Sequence, residues 1–326
     1  MEFSVVSRLE HDVLVVEVTA PEADENTRYA YYLYERTRGI VKKQMYIKES
    51  TFSFPLSEPG AYFVKAFVRN WPNGPHGEHR TTSKNTNNII RYPIKIVSYA
   101  AMESEDFLSD GGSIYDIVWD RVHYKFFVYY KPDSSQSVIF GTGNIGQHPD
   151  PYFARITWAH ELPCTAIYYS DPTSYKPPCT LGWGYGTNDR WYLKDIAALL
   201  EKILAKLGIP VSNTLFYGSS GGGFTSIMLA AMLRSRATVI NPQFILENFD
   251  PKFVTHLKQV CLKEGEHLLP ERTHVSTFFE QEGYFPPLHI IQNIRAEHDL
   301  RTQISPFLEE LSALPMDCTE LLRMEF

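Results

Sequence analysis

Short hydrophobic runs in which apolar and polar positions alternate fill residues 1–98. They are rich in Val, Ile, Tyr and Phe, and turn residues such as EPG (58–60) and WPNGPHG (71–77) separate them. About seven such runs without a helical pattern predict an antiparallel β-sandwich of the immunoglobulin- or fibronectin-like kind, although the Cys…Trp…Cys pattern of true immunoglobulin domains is missing. The runs are FSVVSRL, DVLVVEVTA, RYAYYLYER, IVKKQMYIK, STFSFPL, AYFVKAFVRN and NIIRYPIKI.

The pattern changes after an acidic segment of small residues, 99–112, which ends in Gly-Gly and is predicted to be a linker. From residue 113 to 326, apolar strand-like runs alternate with helical patterns. In 190–209, for example, apolar residues recur at steps of three and four, as on one face of a helix. This alternation predicts an α/β domain with a mostly parallel sheet covered by helices on both faces.

Composition and charge exclude several classes of protein. The chain has 326 residues, 44% hydrophobic and 21% charged, which is normal for globular proteins. Its net charge of −7 argues against a nucleic-acid or anionic-membrane partner. The N-terminus lacks a signal-peptide pattern, and no run approaches about 18 apolar residues, so we expect a cytoplasmic protein without a membrane span. The four cysteines form no zinc-binding pattern, and no metal or cofactor is expected.

The segment TLFYGSSGGGFTSIMLAAML (214–233) is an apolar strand, a run of small residues and an apolar helix. It contains G-x-S-x-G centred on Ser220, whereas Ser219 does not fit because Tyr217 replaces the first glycine. This context predicts a nucleophile at a sharp turn, with the amide of Gly221 and the helix dipole directed at a developing oxyanion. The alternatives are a tight glycine turn or a phosphate-binding loop, but no Walker A motif follows.

At these residues the chain resembles the α/β-hydrolase superfamily over about 115–326. RITWAHELPCTAIYYSDPT (155–173), LGWGYGTND (181–189) and VINPQ (239–243) are similar to bacterial hydrolase-like proteins of surface-polysaccharide and glycoprotein biosynthesis. That group is similar to the hydrolase-like component of the accessory secretion system for serine-rich glycoproteins. The resemblance implies a serine-dependent site, a β-sandwich in front of the hydrolase domain, and a glycan or glycoconjugate substrate.

A second oxyanion donor is expected from the glycine-rich loop FGTGNIGQH (140–148), which follows an apolar strand. Thr142 and Gly143 are the candidates, because backbone amides in a glycine-rich loop can face a substrate. His148 lies in the same loop and is a candidate for substrate binding. The alternative is an ordinary surface loop.

Two more segments supply candidates for substrate binding. Asp171, in SDPT, closes a strand at the same sheet edge, although Asp before Pro is often only a turn former. Trp183 and Tyr185, in GWGYGTNDRWY (182–192), could form a platform for the apolar face of a sugar. The alternative is a loop held by buried aromatic rings. Residues 244–286 are expected to form a cap over the pocket.

A serine hydrolase of this fold has its acid after a late strand and its histidine after the last strand. Glu297 and Asp299 are the candidates for the acid, and the sequence has no histidine after His298. Three explanations stay open. The chain ends before the loop that carries the base, His298 is a displaced base, or the fold has lost catalysis.

The sequence therefore predicts a serine acyl-ester hydrolase or O-acyl(acetyl)transferase that acts on a glycan or glycoconjugate in bacterial surface-polysaccharide biosynthesis. The alternative is a catalytically inactive binding or scaffold protein of the same pathway, and nothing specific favours a third reading, a peptidase. Other biosynthetic proteins are expected to bind through the β-sandwich. The oligomeric state and the acyl group do not follow from the sequence.

Overall fold

The computed structural model describes residues 2–70, 80–108, 111–148, 150–315, 318 and 320–326. The chain forms two compact units, Met1–Pro93 and Ile94–Phe326. Each unit has a hydrophobic core of its own. Among the described residues, no helix has both the length and the apolar character that a membrane crossing requires.

The first unit consists of antiparallel strands in two sheets. One sheet has the order β1-β2-β5, and the other has the order β4-β3-β6-β7, with β8 paired to β6. Leu14 and Phe54 of the first sheet share a core with Tyr31 and Val64 of the second, so the apolar face of each sheet is buried. The strands are β1 Ser4–Glu10, β2 Val13–Thr19, β3 Thr27–Glu35, β4 Gly39–Ile47, β5 Thr51–Pro55, β6 Gly60–Asn70, β7 Arg80–Asn85 and β8 Ile89–Arg91.

The predicted strand-rich character of this part of the chain is confirmed. Its assignment to the immunoglobulin- or fibronectin-like class stays a prediction. The turn predicted at 71–77 lies outside the described residues.

The chain divides at a different residue from the one that the sequence predicts. Strand β9 (Ile94–Ser98), placed in the first domain from its pattern, pairs in parallel with β10 (Ser113–Trp119) and belongs to the second unit. The predicted linker, 99–112, begins with a 3-10 helix that buries Met102 in the second core, and residues 109–110 lie outside the described residues. A short alternating run has the same pattern in either sheet, so its partner could not be predicted.

The second unit is built on a nine-stranded sheet with the order β17-β16-β15-β14-β12-β13-β11-β10-β9. Strand β11 is antiparallel to both of its neighbours, and all other pairs are parallel. From β10 to β17 this is the strand arrangement of the predicted α/β-hydrolase class. The further strands are β11 Val122–Tyr129, β12 Ser137–Phe140, β13 Thr165–Tyr169, β14 Thr214–Ser220, β15 Arg236–Pro242, β16 Leu288–Ile291 and β17 Leu322–Glu325.

Helices follow the parallel strands, as the alternating pattern predicts. Helix α1 buries the apolar residues at steps of three and four that identify it in the sequence, and α2 packs against β14 and β15. Cys164 and Cys179 are buried thiols and form no disulfide. The helices are α1 Tyr192–Lys206, α2 Gly221–Met232, α3 Pro251–Cys261, α4 Pro270–Thr273, α5 Val275–Glu282, α6 Glu297–Asp299 and α7 Ser305–Ala313.

Candidate active site

Ser220 lies at the point where β14 ends and α2 begins, at the edge of the sheet where the parallel strands end. Its backbone has φ +51° and ψ −127°, a conformation that L-residues rarely adopt, and its side chain is exposed. Backbone strain of this kind at a strand-to-helix turn is the geometry of a nucleophile elbow. Ser219 is the residue before it in β14, and the pairing of β14 with β15 shifts its register between the two serines.

The glycines around Ser220 are required because three backbone segments approach one another closely. A Cβ on Gly218 would lie 2.1 Å from the carbonyl oxygen of Gly222, and a Cβ on Gly222 would lie 2.6 Å from that of Gly141. Both distances are shorter than any real contact. The small residues in the motif therefore bring the turn next to the loop after β12.

This loop contributes Gly141, Gly143 and Asn144 to a pocket that also contains Ser220. Gly221 is the first residue of α2, which is where the fold places the first oxyanion amide. Gly143 is therefore at the pocket, as predicted. The side chain of Thr142 is buried instead, and its hydroxyl donates a hydrogen bond to the carbonyl oxygen of Tyr169.

The hydroxyl of Ser220 has a partner that sequence reasoning missed. Nε2 of Gln243, in the loop after β15, donates to Oγ of Ser220 at 3.2 Å. Oε1 of Gln243 accepts the indole N–H of Trp183 at 2.6 Å. Because an indole nitrogen only donates, this contact fixes the amide with its NH₂ group towards Ser220. Gln243 therefore holds the hydroxyl in place but cannot take its proton.

The predicted acid and base residues are not joined to Ser220. Glu297, His298 and Asp299 form the short helix α6, and the first two are exposed. Within the described part of the chain, no hydrogen bond connects any of the three to Oγ of Ser220, and Glu297 is paired with Arg301 at 3.4 Å. The predicted Ser220–His298 pair is therefore not formed in this structure.

The predicted sugar platform is wrong, because both rings are in the core. Trp183 and Tyr185 are each 1% exposed. The hydroxyl of Tyr185 donates to Asn188 at 2.5 Å and accepts from the backbone N–H of Leu269 at 3.0 Å. The aromatic residues hold the loop together, and Trp183 also supports the site through Gln243.

The segment predicted as a cap, 244–286, does not line the pocket. Val275, Phe278 and Phe279 of α5 are fully buried in the main core. Helix α5 packs against α2 and α7. This segment is therefore part of the layer of helices rather than a cover over Ser220.

Asp171 is a buried structural carboxylate rather than a pocket residue. Its oxygens accept hydrogen bonds from the backbone N–H groups of Thr173 and Gly184, both at 2.8 Å, and from the hydroxyl of Ser174 at 3.1 Å. Burial raises the pKa of the Asp171 carboxyl, whereas these hydrogen bonds favour its charged form. Asp171 thus fixes the loop that carries Trp183.

We expect Asp171→Asn to lower the free energy of unfolding by about 2 kcal/mol. The amide presents an NH₂ group to a buried N–H donor, which leaves that donor without an acceptor. Urea denaturation measures the change. Asp189→Asn is the control, since Asp189 and its partner Lys263 are both 70% exposed, and it should change stability by less than about 1 kcal/mol. Unchanged stability with lost turnover would instead give Asp171 a chemical role.

The pocket beside Ser220 has a volume of about 400 Å³, within the range of small-molecule sites. The ring of His148 is exposed and stacks on that of Tyr152, with 4.3 Å between the centroids and 7° between the planes. Tyr152 itself lines the pocket, whereas His148 contacts Tyr152 and is not one of the lining residues. The lining residues are Gly141, Gly143, Asn144, Tyr152, Ala154, Arg155, Ser219 and Ser220.

Arg155 is a pocket residue that sequence reasoning also missed. It lies in the segment between β12 and β13, and its Nη2 donates to Oγ of Ser219 at 2.8 Å. Arg155 begins the segment 155–173 that carries the family resemblance, but no periodic pattern marks the arginine itself as a pocket residue. Only the folded chain shows that it lies next to the nucleophile turn.

No protein-family profile matches the chain, and no curated protein matches it. Among solved structures, the chain is similar to a variant of the capsule O-acetyltransferase of Neisseria meningitidis serogroup A in complex with CoA. The TM-score is 0.50 at 14% identity, over 69% of this chain and 91% of that chain.

Two further solved structures are similar to this chain. One is an S-formylglutathione hydrolase from Agrobacterium tumefaciens, with a TM-score of 0.47 and 16% identity over 68% of this chain and 88% of that one. The other is the glycosylation-associated Gap123 complex from Streptococcus agalactiae, with a TM-score of 0.40 and 15% identity over 99% of this chain and 58% of that one. The strand order, the turn at Ser220 and the likeness to the acetyltransferase together show that the second unit has the α/β-hydrolase fold.

Proposed function

We propose that the protein is a serine-dependent acyl-ester hydrolase or O-acyltransferase with Ser220 as its nucleophile. The observation that carries this proposal is the strained backbone of Ser220, held between glycines at the start of α2 and open to a pocket. Backbone strain of this kind costs free energy, and strained residues cluster at active sites and ligand-binding sites.

In the proposed reaction, Oγ of Ser220 attacks the carbonyl carbon of an ester. The tetrahedral oxyanion is stabilised by the amide of Gly221 and by an amide of the loop at 142–143. The C–O bond to the leaving alcohol then breaks, which leaves an acyl group on Ser220. Water or a second alcohol, such as a sugar hydroxyl, takes the acyl group and releases the serine.

The hydroxyl proton of Ser220 needs an acceptor, and Gln243 cannot be that acceptor. We assign this role to His298. Catalytic hydrogen bonds often tighten only when substrate is bound. The assignment requires the loop after β16 to approach Ser220.

For the acyl acceptor we propose a glycan or glycoconjugate of bacterial surface-polysaccharide biosynthesis, handled in the cytoplasm. The sequence resemblance supports this, and the acetyltransferase of similar fold is named for a capsule. The first unit, proposed to be immunoglobulin-like, would contact other proteins of the pathway.

A second candidate is a binding or scaffold protein without turnover. The contact from Gln243 favours it, because an amide donates to Oγ of Ser220 in the described structure and no histidine does so. In that case the pocket would hold a ligand without changing it.

Labelling with a fluorophosphonate separates the two candidates. We expect one adduct per chain, on Ser220, since Oγ forms the P–O bond and fluoride leaves. Tryptic mass spectrometry locates the adduct. Ser219→Ala should label at the rate of the unchanged protein, and Ser220→Ala should not label. A folded protein that forms no adduct would support the binding protein instead.

A further inference from the structure

Arg155 brings a positive charge into the pocket of the nucleophile. It lines the same pocket as Ser220, and its Nη2 donates to the hydroxyl of Ser219, the residue directly before Ser220. One small molecule in this pocket can therefore contact both the guanidinium of Arg155 and Oγ of Ser220.

The side chain of Arg155 is fixed before any ligand binds. Its Cζ atom lies 5.5 Å from the ring centroids of both Trp158 and Tyr217, which is cation–π distance. Its backbone carbonyl oxygen accepts a hydrogen bond from the hydroxyl of Tyr168 at 3.2 Å. A pre-ordered guanidinium loses little entropy when it binds an anion.

Within the described residues, no carboxylate lies within 4.0 Å of the Arg155 guanidinium. The lining of the pocket also contains no acidic residue. Arg190 is a contrasting case, since its guanidinium is paired with Asp195 at 2.6 Å. A partly buried cation without a counter-ion is costly. The chain has a net charge of −7, so the unpaired state of Arg155 does not follow from an excess of basic residues over acidic ones.

We infer that the pocket binds esters that carry an oxyanion group, a carboxylate or a phosphate, and that Arg155 binds this group while Ser220 acts on the ester. The inference deepens the proposed function and rests on it for the reaction. A guanidinium has five N–H donors in a planar fork that matches a carboxylate or phosphate in two-point contact. The hydrogen bond from Nη2 to Ser219 uses one of these donors and leaves the others available for such a ligand.

The test measures binding separately from turnover. Calorimetry gives the dissociation constants of glutaric acid monoanilide, of its uncharged primary amide, which has no ester bond to be hydrolysed, and of phenyl phosphate. The chains compared are the unchanged protein, Arg155→Met and Arg155→Lys. We expect the unchanged protein to bind the monoanilide at least about tenfold more tightly than the uncharged primary amide. Arg155→Met should remove that preference, and Arg155→Lys should keep part of it. Tighter binding of the monoanilide would identify the bound group as a carboxylate, and tighter binding of phenyl phosphate would identify it as a phosphate.

Arg234→Met is the matched control. Arg155 and Arg234 both have a positive φ, +61° and +53°, and the guanidinium of Arg234 also lies over a ring, that of Tyr284, at 4.2 Å. Arg234 lies just after the C-terminal end of α2, whereas Ser220 lies just before its N-terminal end. The two residues are therefore at opposite ends of the helix. This variant should keep the full preference for the anion.

The outcomes separate the inference from the proposed function. If folded Arg155→Met keeps the preference, or the unchanged protein has none, the inference is overturned whatever the activity. If the preference depends on Arg155 but 4-nitrophenyl hydrogen glutarate is not turned over, anion binding stands and the proposed reaction falls. If Arg155→Met does not fold, Arg155→Lys and Arg155→Gln decide by the same comparison.

Discussion

Ser220→Ala is expected to lower the turnover of 4-nitrophenyl acetate at least about 10³-fold. The substitution removes the hydroxyl that is proposed to form the acyl-enzyme, and it removes no cap hydrogen bond, because the Ser220 side chain contributes none to α2. Release of 4-nitrophenol measures the rate, and the near-ultraviolet circular dichroism spectrum shows that the variant is folded.

Ser219→Ala is the control for this experiment. Ser219 is the neighbouring serine in the same pocket, and its hydroxyl accepts from Arg155 rather than from Gln243. We expect its turnover of the uncharged ester to stay within a few-fold of the unchanged protein. Turnover by Ser220→Ala at the unchanged rate would remove Ser220 from the mechanism. If the unchanged protein and Ser220→Ala are equally inactive, the result would favour the binding protein.

His298→Ala completes the comparison. If His298 is the proposed base, its removal should lower turnover to nearly the same extent as Ser220→Ala, since residues that act as a unit are not additive. Normal turnover by His298→Ala would show that another group takes the proton.

The local geometry of the site could be predicted from the sequence because it depends on neighbouring residues. Gly218 and Gly222 flank Ser220 at the spacing of a nucleophile elbow, and the strand and helix around them have clear hydrophobic patterns. The helical pattern of α1 was equally local. In these cases a pattern within one segment decides the backbone conformation.

The features that the sequence did not predict depend on distant parts of the chain. Gln243 and Arg155 reach the nucleophile turn from loops after two other strands. Both lie in segments that carry the family resemblance, but nothing in those segments marks either side chain as part of the site. For Trp183 and Tyr185 the sequence left two readings open, a sugar platform and a loop held by buried rings, because aromatic residues in a glycine-rich loop have the same pattern in both cases. The burial of both rings confirms the second reading. Burial is set by the elements that pack on the loop, not by the loop itself.

Gly218→Ala is expected to lower the free energy of unfolding by about 3 kcal/mol. The new methyl group would lie 2.1 Å from the backbone oxygen of Gly222, at the start of α2. Neither segment can yield without disturbing β14 or α2, whose contact is part of the main core. The cost of inserting a methyl group against backbone is at the upper end of that for overpacked sites. Urea denaturation followed by tryptophan fluorescence measures it.

Gly143→Ala separates crowding from the loss of glycine as such. Gly143 lies in the same pocket, its φ is not in the left-handed region, and a Cβ there would meet its nearest atoms at 3.5 and 3.7 Å, ordinary van der Waals distances. Its stability should therefore change by less than about 1 kcal/mol. Equal losses in the two variants would mean that the close approach of β14 to α2 is not what requires glycine at 218, and the elbow geometry assigned to Ser220 would lose its main structural support.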